Sequence, residues 1–339
     1  MRNIGLGFLI LVISIFAGCD GSADSRAYTE KSPSRQVMGT IARSIAVADN
    51  IRTARSANQA AFDKLVEIDN MMSDYLPDSM LSKVNRRAFK TPVKVSDELF
   101  EVLSKSIEYS RLSGGAFDIT IGPVIDLWHK AEENNIKPTA RQIAAAKAKV
   151  GYEKLILDPD KKTVRFKVEG MRLDLGGIAK GYGIDKAVEA MQAAGATAGM
   201  IDVGGDIRCF GKPEKKDKWA IGLQDPEDTE KLMMVIELGD NAIATSGDYQ
   251  RFVVLDGEKF SHIMTPKKGI SAKGLTSVTV IAPTAIDADA LATTVTVMEI
   301  EKGLNLVETI DGVEAFAVPS DPNKQIRYSN GFEKFIHKK

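Results

Sequence analysis

The sequence predicts an α+β fold with mainly antiparallel sheets flanked by helices, and three observations lead there. Short β runs and amphipathic helices are mixed without the regular strand–helix–strand rhythm that a doubly wound parallel sheet requires. Two of the β runs are joined by Asp158-Pro159-Asp160-Lys161-Lys162, whose turn-forming residues predict a hairpin. No Pro-, Gly- or Ser-rich linker divides residues 37–339 and no internal repeat recurs, so any second lobe must be assembled from non-contiguous pieces.

The elements follow in chain order. Residues 37–46 read as a strand and 49–72 as a long helix, with Ile51, Ala54, Ala61, Leu65 and Ile68 along one side. A second helix covers 97–112. Ser96 caps it, because its hydroxyl can accept a bond from a free backbone N–H of the first turn. Residues 139–149 form an alanine-rich helix, and 154–157 and 163–166 are the arms of the hairpin. Strands at 199–203, 219–223, 233–238, 252–255 and 277–281 then alternate with helices near 178–194, 287–298 and 301–310.

The N-terminus reads differently. Arg2 supplies a positive start, residues 4–16 are almost unbroken in their apolarity, and Ala17-Gly18-Cys19 follow. That run is too short for a membrane span of about 20 residues and ends in small residues, as an export signal does. The small-small-Cys ending resembles the bacterial lipobox, although Phe16 stands where leucine is usual; a plain signal peptide without lipid is the alternative. Residues 1–18 are therefore expected to be a lipoprotein signal peptide, 19–36 a lipidated Cys19 with a polar tether interrupted by Pro33, and 37–339 the folded domain. A flexible tether of that length reaches roughly 20–25 Å. Asp20 after the cysteine resembles a mark that retains lipoproteins at the inner membrane, so the expected location is its periplasmic side. Cys209 is then the one remaining thiol, and no internal disulfide is expected. With 45 basic against 46 acidic side chains, no net field favours a phosphate polymer, and nucleic acid is not an expected partner.

Three blocks carry the chemistry. In Arg172-Leu173-Asp174-Leu175-Gly176-Gly177-Ile178-Ala179-Lys180-Gly181-Tyr182 a strand runs through paired glycines into a helix, an arrangement that reads as a phosphate cradle with Lys180 adding a full charge, or else as a structural turn. In Thr284-Ala285-Ile286-Asp287-Ala288-Asp289-Ala290-Leu291-Ala292-Thr293, Thr284 and Asp287 have capping spacing, whereas Asp289 lies among apolar neighbours with Thr293 on the same helix face. Carboxylate, hydroxyl and nearby carbonyls make an all-oxygen site suited to magnesium; a solvent-facing acid near a helix start is the plainer reading. The third block is Ala244-Thr245-Ser246-Gly247-Asp248-Tyr249, followed by Ser261-His262-Ile263-Met264-Thr265-Pro266, in which His262 is the candidate general base. Two further glycine corners, at 114–120 and 201–207, each place a carboxylate, Asp118 and Asp206, beyond a flexible turn. Together these corners point to a nucleotide site.

Taken together the blocks resemble the ApbE family of bacterial FAD:protein FMN transferases, from Met38-Gly39-Thr40 to about Thr293, with Met72-Ser73-Asp74-Tyr75, Ser82-Lys83-Val84-Asn85 and Gly115-Ala116-Phe117-Asp118 among the matching motifs. The resemblance implies two lobes with the flavin in a cleft between them. It implies that Met38, Tyr75, Ala116, Phe117, Asp118, Asp174 and Lys180 touch the dinucleotide, and that the Gly177 carbonyl, Asp289, the Ala292 carbonyl and Thr293 hold magnesium. Thr265 stands where the family usually has the Asp of His-Ile-x-Asp-Pro, and is placed beside the flavin or His262 by that match. The implied activity is magnesium-dependent transfer of FMN from FAD to a Thr or Ser hydroxyl of client flavoprotein subunits of membrane redox complexes, with AMP released. His262 would be the base and Asp118 or Asp206 the fallback. The alternatives are a magnesium-dependent FAD pyrophosphatase releasing FMN and AMP, and a lipoprotein that binds FAD without cleaving it.

Overall fold

The computed structural model describes residues 27–338 apart from 227, 229 and 248–251. Among the described residues a nine-stranded antiparallel sheet forms the centre. Its order is Tyr28–Lys31, Thr40–Ala48, Ala198–Val203, Asp206–Phe210, Ala242–Gly247, Leu275–Ala282, Glu314–Pro319 and Arg327–Tyr328, with Arg35–Val37 also paired to Thr40–Ala48. Period-two alternation gives this sheet two apolar faces. Ala46, Ile201, Ala244, Val280 and Ala317 look to one side, where the helices Ile51–Met72, Ala179–Ala193 and Ala285–Val297 pack. Small residues prevail there because helices must come close; Ala54, Ala57 and Ala61 of the long helix are fully buried. Ile45, Met200, Ile207, Ile243 and Phe316 look to the other side, covered by the hairpin Trp219–Gln224 and Leu232–Leu238 and by Phe332.

A second unit is built from separated pieces, as the sequence requires. The helix Gly122–Asn134 packs on the hairpin Phe252–Leu255 and Glu258–Ser261 through Trp128, whose ring lies 4.7 Å from that of Phe260 and whose Nε1 donates to the Gly269 carbonyl at 3.0 Å. A three-stranded sheet, Val93–Lys94, Thr163–Phe166 and Leu155–Asp158, completes the molecule beside the helices Met80–Arg87 and Asp97–Leu112. Among the described residues no helix is long and apolar enough to cross a membrane.

Local signals place the helices well. Asn50, Ser96 and Thr139 each accept a first-turn N–H through their side chains, and Thr139 with Gln142 forms a full capping box. Four differences stand out. The expected strand 37–46 is interrupted, because Met38 and Gly39 take φ of +51° and +70° and turn the chain between Arg35–Val37 and Thr40–Ala48. The expected tether 19–36 does not run to the domain boundary: Tyr28–Lys31 pairs with Ile45–Ala48 as an edge strand, its backbone bonds outweighing its polar side chains. Residues 1–26, with the signal peptide, Cys19 and most of the tether, lie outside the described residues. The helices Met80–Arg87 and Gly122–Asn134, which the sequence reading left unassigned, are also present.

Candidate active site

The helix Ala285–Val297 packs against the first turn of Ala179–Ala193, and this junction gathers most of the predicted metal and phosphate residues. Asp289 is buried, and its Oδ2 accepts the Gly181 N–H at 3.0 Å. Glycine is required at 181, since a Cβ there would lie 2.2 Å from the Ala285 carbonyl oxygen. Thr293 sits one turn beyond Asp289, with its hydroxyl against Gly177; a Cβ at 177 would stand 2.9 Å from Thr293 Oγ1. Lys180 pairs with the buried Asp206, whose other oxygen accepts the Thr245 N–H at 3.3 Å. Burial raises the Asp289 pKa from 3.8 to about 7; Lys180 opposes the rise, whereas the Asp206 and Asp185 carboxylates add to it.

Asp185 was not singled out by sequence, yet it fixes this junction. Its two oxygens accept the N–H groups of Ala285 and Ile286 at 2.8 and 2.9 Å, and Arg208 donates to it at 2.5 Å. The carboxylate of one helix thus caps the next, where open N–H groups favour negative charge. Its position five residues after Lys180 was the available signal, but nothing local distinguishes it from an ordinary helix residue. Asp202, also missed, accepts the Gly205 N–H at 2.9 Å, and burial raises its pKa to about 6.

The phosphate cradle is only partly as expected. The Gly176 N–H goes to Asp174 Oδ1 at 2.8 Å, those of Ile178 and Ala179 go to the Leu175 carbonyl, and that of Gly181 goes to Asp289. These four N–H groups are therefore already engaged, and Lys180 is the cationic element at this end.

Asp174 continues into a charged cluster. Arg172 binds Asp74, which precedes Tyr75, and reaches Asp126 on the helix Gly122–Asn134 at 2.5 Å. The Asp174 carboxyl is held above its ordinary pKa by burial and by Asp74, against the pull of the Gly176 N–H, Arg172 and His129. Tyr75 is 77% exposed on this rim.

Other predicted contacts are placed differently. Asp118 is buried with both oxygens engaged: Oδ1 accepts the Thr120 N–H and hydroxyl at 2.8 and 2.7 Å, and Oδ2 accepts the Tyr152 N–H at 2.9 Å. It braces a corner, which counts against its use as fallback base. The Phe117 ring is buried in the core, edge-on to Tyr109 at 6.1 Å, so only its backbone can meet a ligand; Ala116 beside it is half-buried. Met38 donates its N–H to Asp69 at 2.8 Å and lays its sulfur against Gly183. His262 is exposed in the connection between Glu258–Ser261 and Met264–Thr265, and Thr265 accepts the Gly269 N–H at 2.7 Å through its carbonyl. Asp248 and Tyr249 of the third block lie outside the described residues.

Among the described residues no group of three or more His, Cys, Asp or Glu side chains is placed to hold a metal. The donors at the helix junction are instead a carboxylate, a hydroxyl and carbonyls, a set that fits a hard divalent cation. One feature favours such an occupant: a buried carboxylate that gains from a neighbouring cation. The Ala292 carbonyl already accepts the Thr296 hydroxyl at 2.8 Å and is the least available of the four oxygens.

Known proteins resemble this chain throughout its length. A model of the ApbE family matches residues 38–317. A protein named FAD:protein FMN transferase from Haemophilus influenzae is 32% identical over 283 residues, covering 81% of this chain and 82% of that one. One of the same name from Vibrio cholerae is 31% identical and covers 100% of both. Among solved structures, the ApbE protein of Thermotoga maritima superposes with a TM-score of 0.84 at 30% identity, covering 92% of this chain and 100% of its own. The flavin transferase ApbE of Vibrio cholerae gives 0.80 at 30% identity, covering 91% of this chain and 100% of its own.

Proposed function

The chain belongs to the ApbE family, and on that premise we propose that it transfers FMN from FAD to a threonine or serine hydroxyl of client flavoproteins, releasing AMP. The observation that carries this reading is the convergence of Lys180, Asp206, Gly177, Asp289 and Thr293 on one helix junction.

Charge decides the mechanism. A diphosphate repels a nucleophile, and further charge develops on the bridging oxygen as its bond to the FMN phosphorus breaks. Magnesium, held by Asp289, Thr293 and the carbonyls of Gly177 and Ala292, would supply Lewis-acid neutralisation of that charge. Lys180 leaves Asp206 for a phosphate oxygen, and Asp206 keeps its Thr245 bond. The client hydroxyl oxygen forms the new bond to phosphorus, AMP departs with the bridging oxygen, and His262 accepts the hydroxyl proton. Asp74, Arg172 and Asp126 tie the Tyr75 loop to the neighbouring helix and so fix one rim of the site.

Lipidation of Cys19 would hold the domain at the periplasmic side of the inner membrane, near flavin-carrying subunits of membrane redox complexes. The test mixes the protein with FAD, magnesium and a client domain. A fluorescent protein band that survives denaturation is expected. Free FMN without a labelled band refutes transfer in favour of hydrolysis, and FAD left intact refutes both.

A further inference from the structure

Residues 79–96 contain Lys83, Arg86, Arg87, Lys90 and Lys94 and no Asp or Glu, in a chain whose net charge, these five included, is −1. All five cations are exposed. Arg86 donates to the Pro77 carbonyl at 2.6 Å, and none of the other four forms an ion pair among the described residues. The nearest acid along the chain after them, Asp97, is faced by Lys162 at 3.9 Å. Between the helix Met80–Arg87 and the strand Val93–Lys94 lies a basin of about 320 Å³, with Lys83, Arg87 and Lys94 among its lining and Met80, Pro92 and Val93 as its apolar part. Repelling cations gathered around an apolar floor match a chain that brings both carboxylates and aliphatic side chains.

The same helix touches the candidate site on its other side. Lys83 and Arg87 are four residues apart and share one face, whereas Asn85 lies two residues from each and points the opposite way. Asn85 grips Leu173 twice, donating to its carbonyl at 3.0 Å and accepting its N–H at 2.8 Å, between Arg172 and Asp174. The basin therefore lies one helix diameter, about 10 Å, from the Arg172–Asp174 rim of the site.

We propose that this cationic basin docks an acidic segment of the client polypeptide, delivering the acceptor hydroxyl to the neighbouring site; the inference rests on the transfer reading above. A lipid surface fits the geometry less well. The described chain begins at the end of the long helix opposite the basin, since Tyr28 pairs with Ala48 beside the Asn50 cap. That helix of 22 residues is about 33 Å long. Lipidation at Cys19 would attach the chain at that end.

The test is the full chain carrying Lys83→Glu, Arg87→Glu and Lys94→Glu together, with the corresponding Gln triple as a milder variant. Docking predicts that KM for the client rises about tenfold or more in the Glu triple and less in the Gln triple, with kcat and KM for FAD unchanged. It also predicts that raising salt from about 50 to 200 mM weakens client use by the parent and not by the Glu triple. An unchanged client KM in both triples overturns the docking site alone. Phosphatidylglycerol vesicles that sediment the parent but not the triples, with client KM unmoved, reassign the basin to the membrane. Absence of client labelling by the parent refutes the transfer reading itself, and the docking inference falls with it.

Discussion

Replacing Asp289 with Asn separates what this carboxylate does for the fold from what it does for the reaction. Its pKa rises from 3.8 to about 7 on folding, chiefly through burial. An acid raised in this way leaves the fold unharmed below its unfolded pKa, where both states are protonated. It becomes progressively unfavourable as pH climbs from 3.8 towards and past about 7. At 1.36 kcal/mol per unit, the upper bound on that penalty at pH 8 is about 4 kcal/mol. Asn is nearly isosteric and its carbonyl oxygen can still accept the Gly181 N–H. The substituted protein should therefore melt higher than the parent at pH 8 without metal, by roughly 2–4 °C per kcal/mol, and equally at pH 4. Magnesium at about 100 times its Kd should raise the parent by about 2.7 kcal/mol and leave the Asn protein unmoved. The assay is thermal unfolding at both pH values with and without magnesium, alongside client labelling, which the substitution should abolish. A lower melting temperature for metal-free Asp289→Asn at pH 8, or a parent indifferent to magnesium, would refute the reasoning.

Three other substitutions probe the same junction and its base. Gly181→Ala places a Cβ 2.2 Å from the Ala285 carbonyl oxygen and 2.6 Å from its carbon, both backbone, so the helices must part; unfolding measurements should show a loss of about 1–3 kcal/mol together with lost magnesium activation. Asp185→Ala leaves two helix N–H groups and Arg208 without their acceptor, and should destabilise by about 3 kcal/mol while raising the magnesium concentration for half-maximal turnover; unchanged stability would show that the cap is dispensable. His262→Ala should lower turnover by about 10²–10⁴ without altering the magnesium response. An unchanged turnover removes His262 as base.

Where the determinants are local, the sequence is legible. The helix Asp97–Leu112 follows from Ser96 and the apolar spacing behind it, and the hairpin at 158–162 from its turn residues. The helix Gly122–Asn134 escapes because it opens on Gly-Pro after Ile121, which offers no side-chain cap, and its apolar residues serve a separate cluster around Trp128. The ordered motifs that resemble the ApbE family were readable as one string, and the match over residues 38–317 bears that resemblance out.

The amino-acid order by itself determined the family and the α+β class, because each depends on residue type and short spacing. Only the tertiary structure decided that Lys180 meets Asp206, that Asp289 takes the Gly181 N–H across a separation of 108 residues, and that Asp185 caps the helix behind it. It also turned Phe117 into the core and fastened Asp118 to its own corner. The reason is that hydrogen bonds and ion pairs act over a few ångströms, so the partner of a buried charge is set by which helices and strands pack together, a distance that sequence separation does not measure.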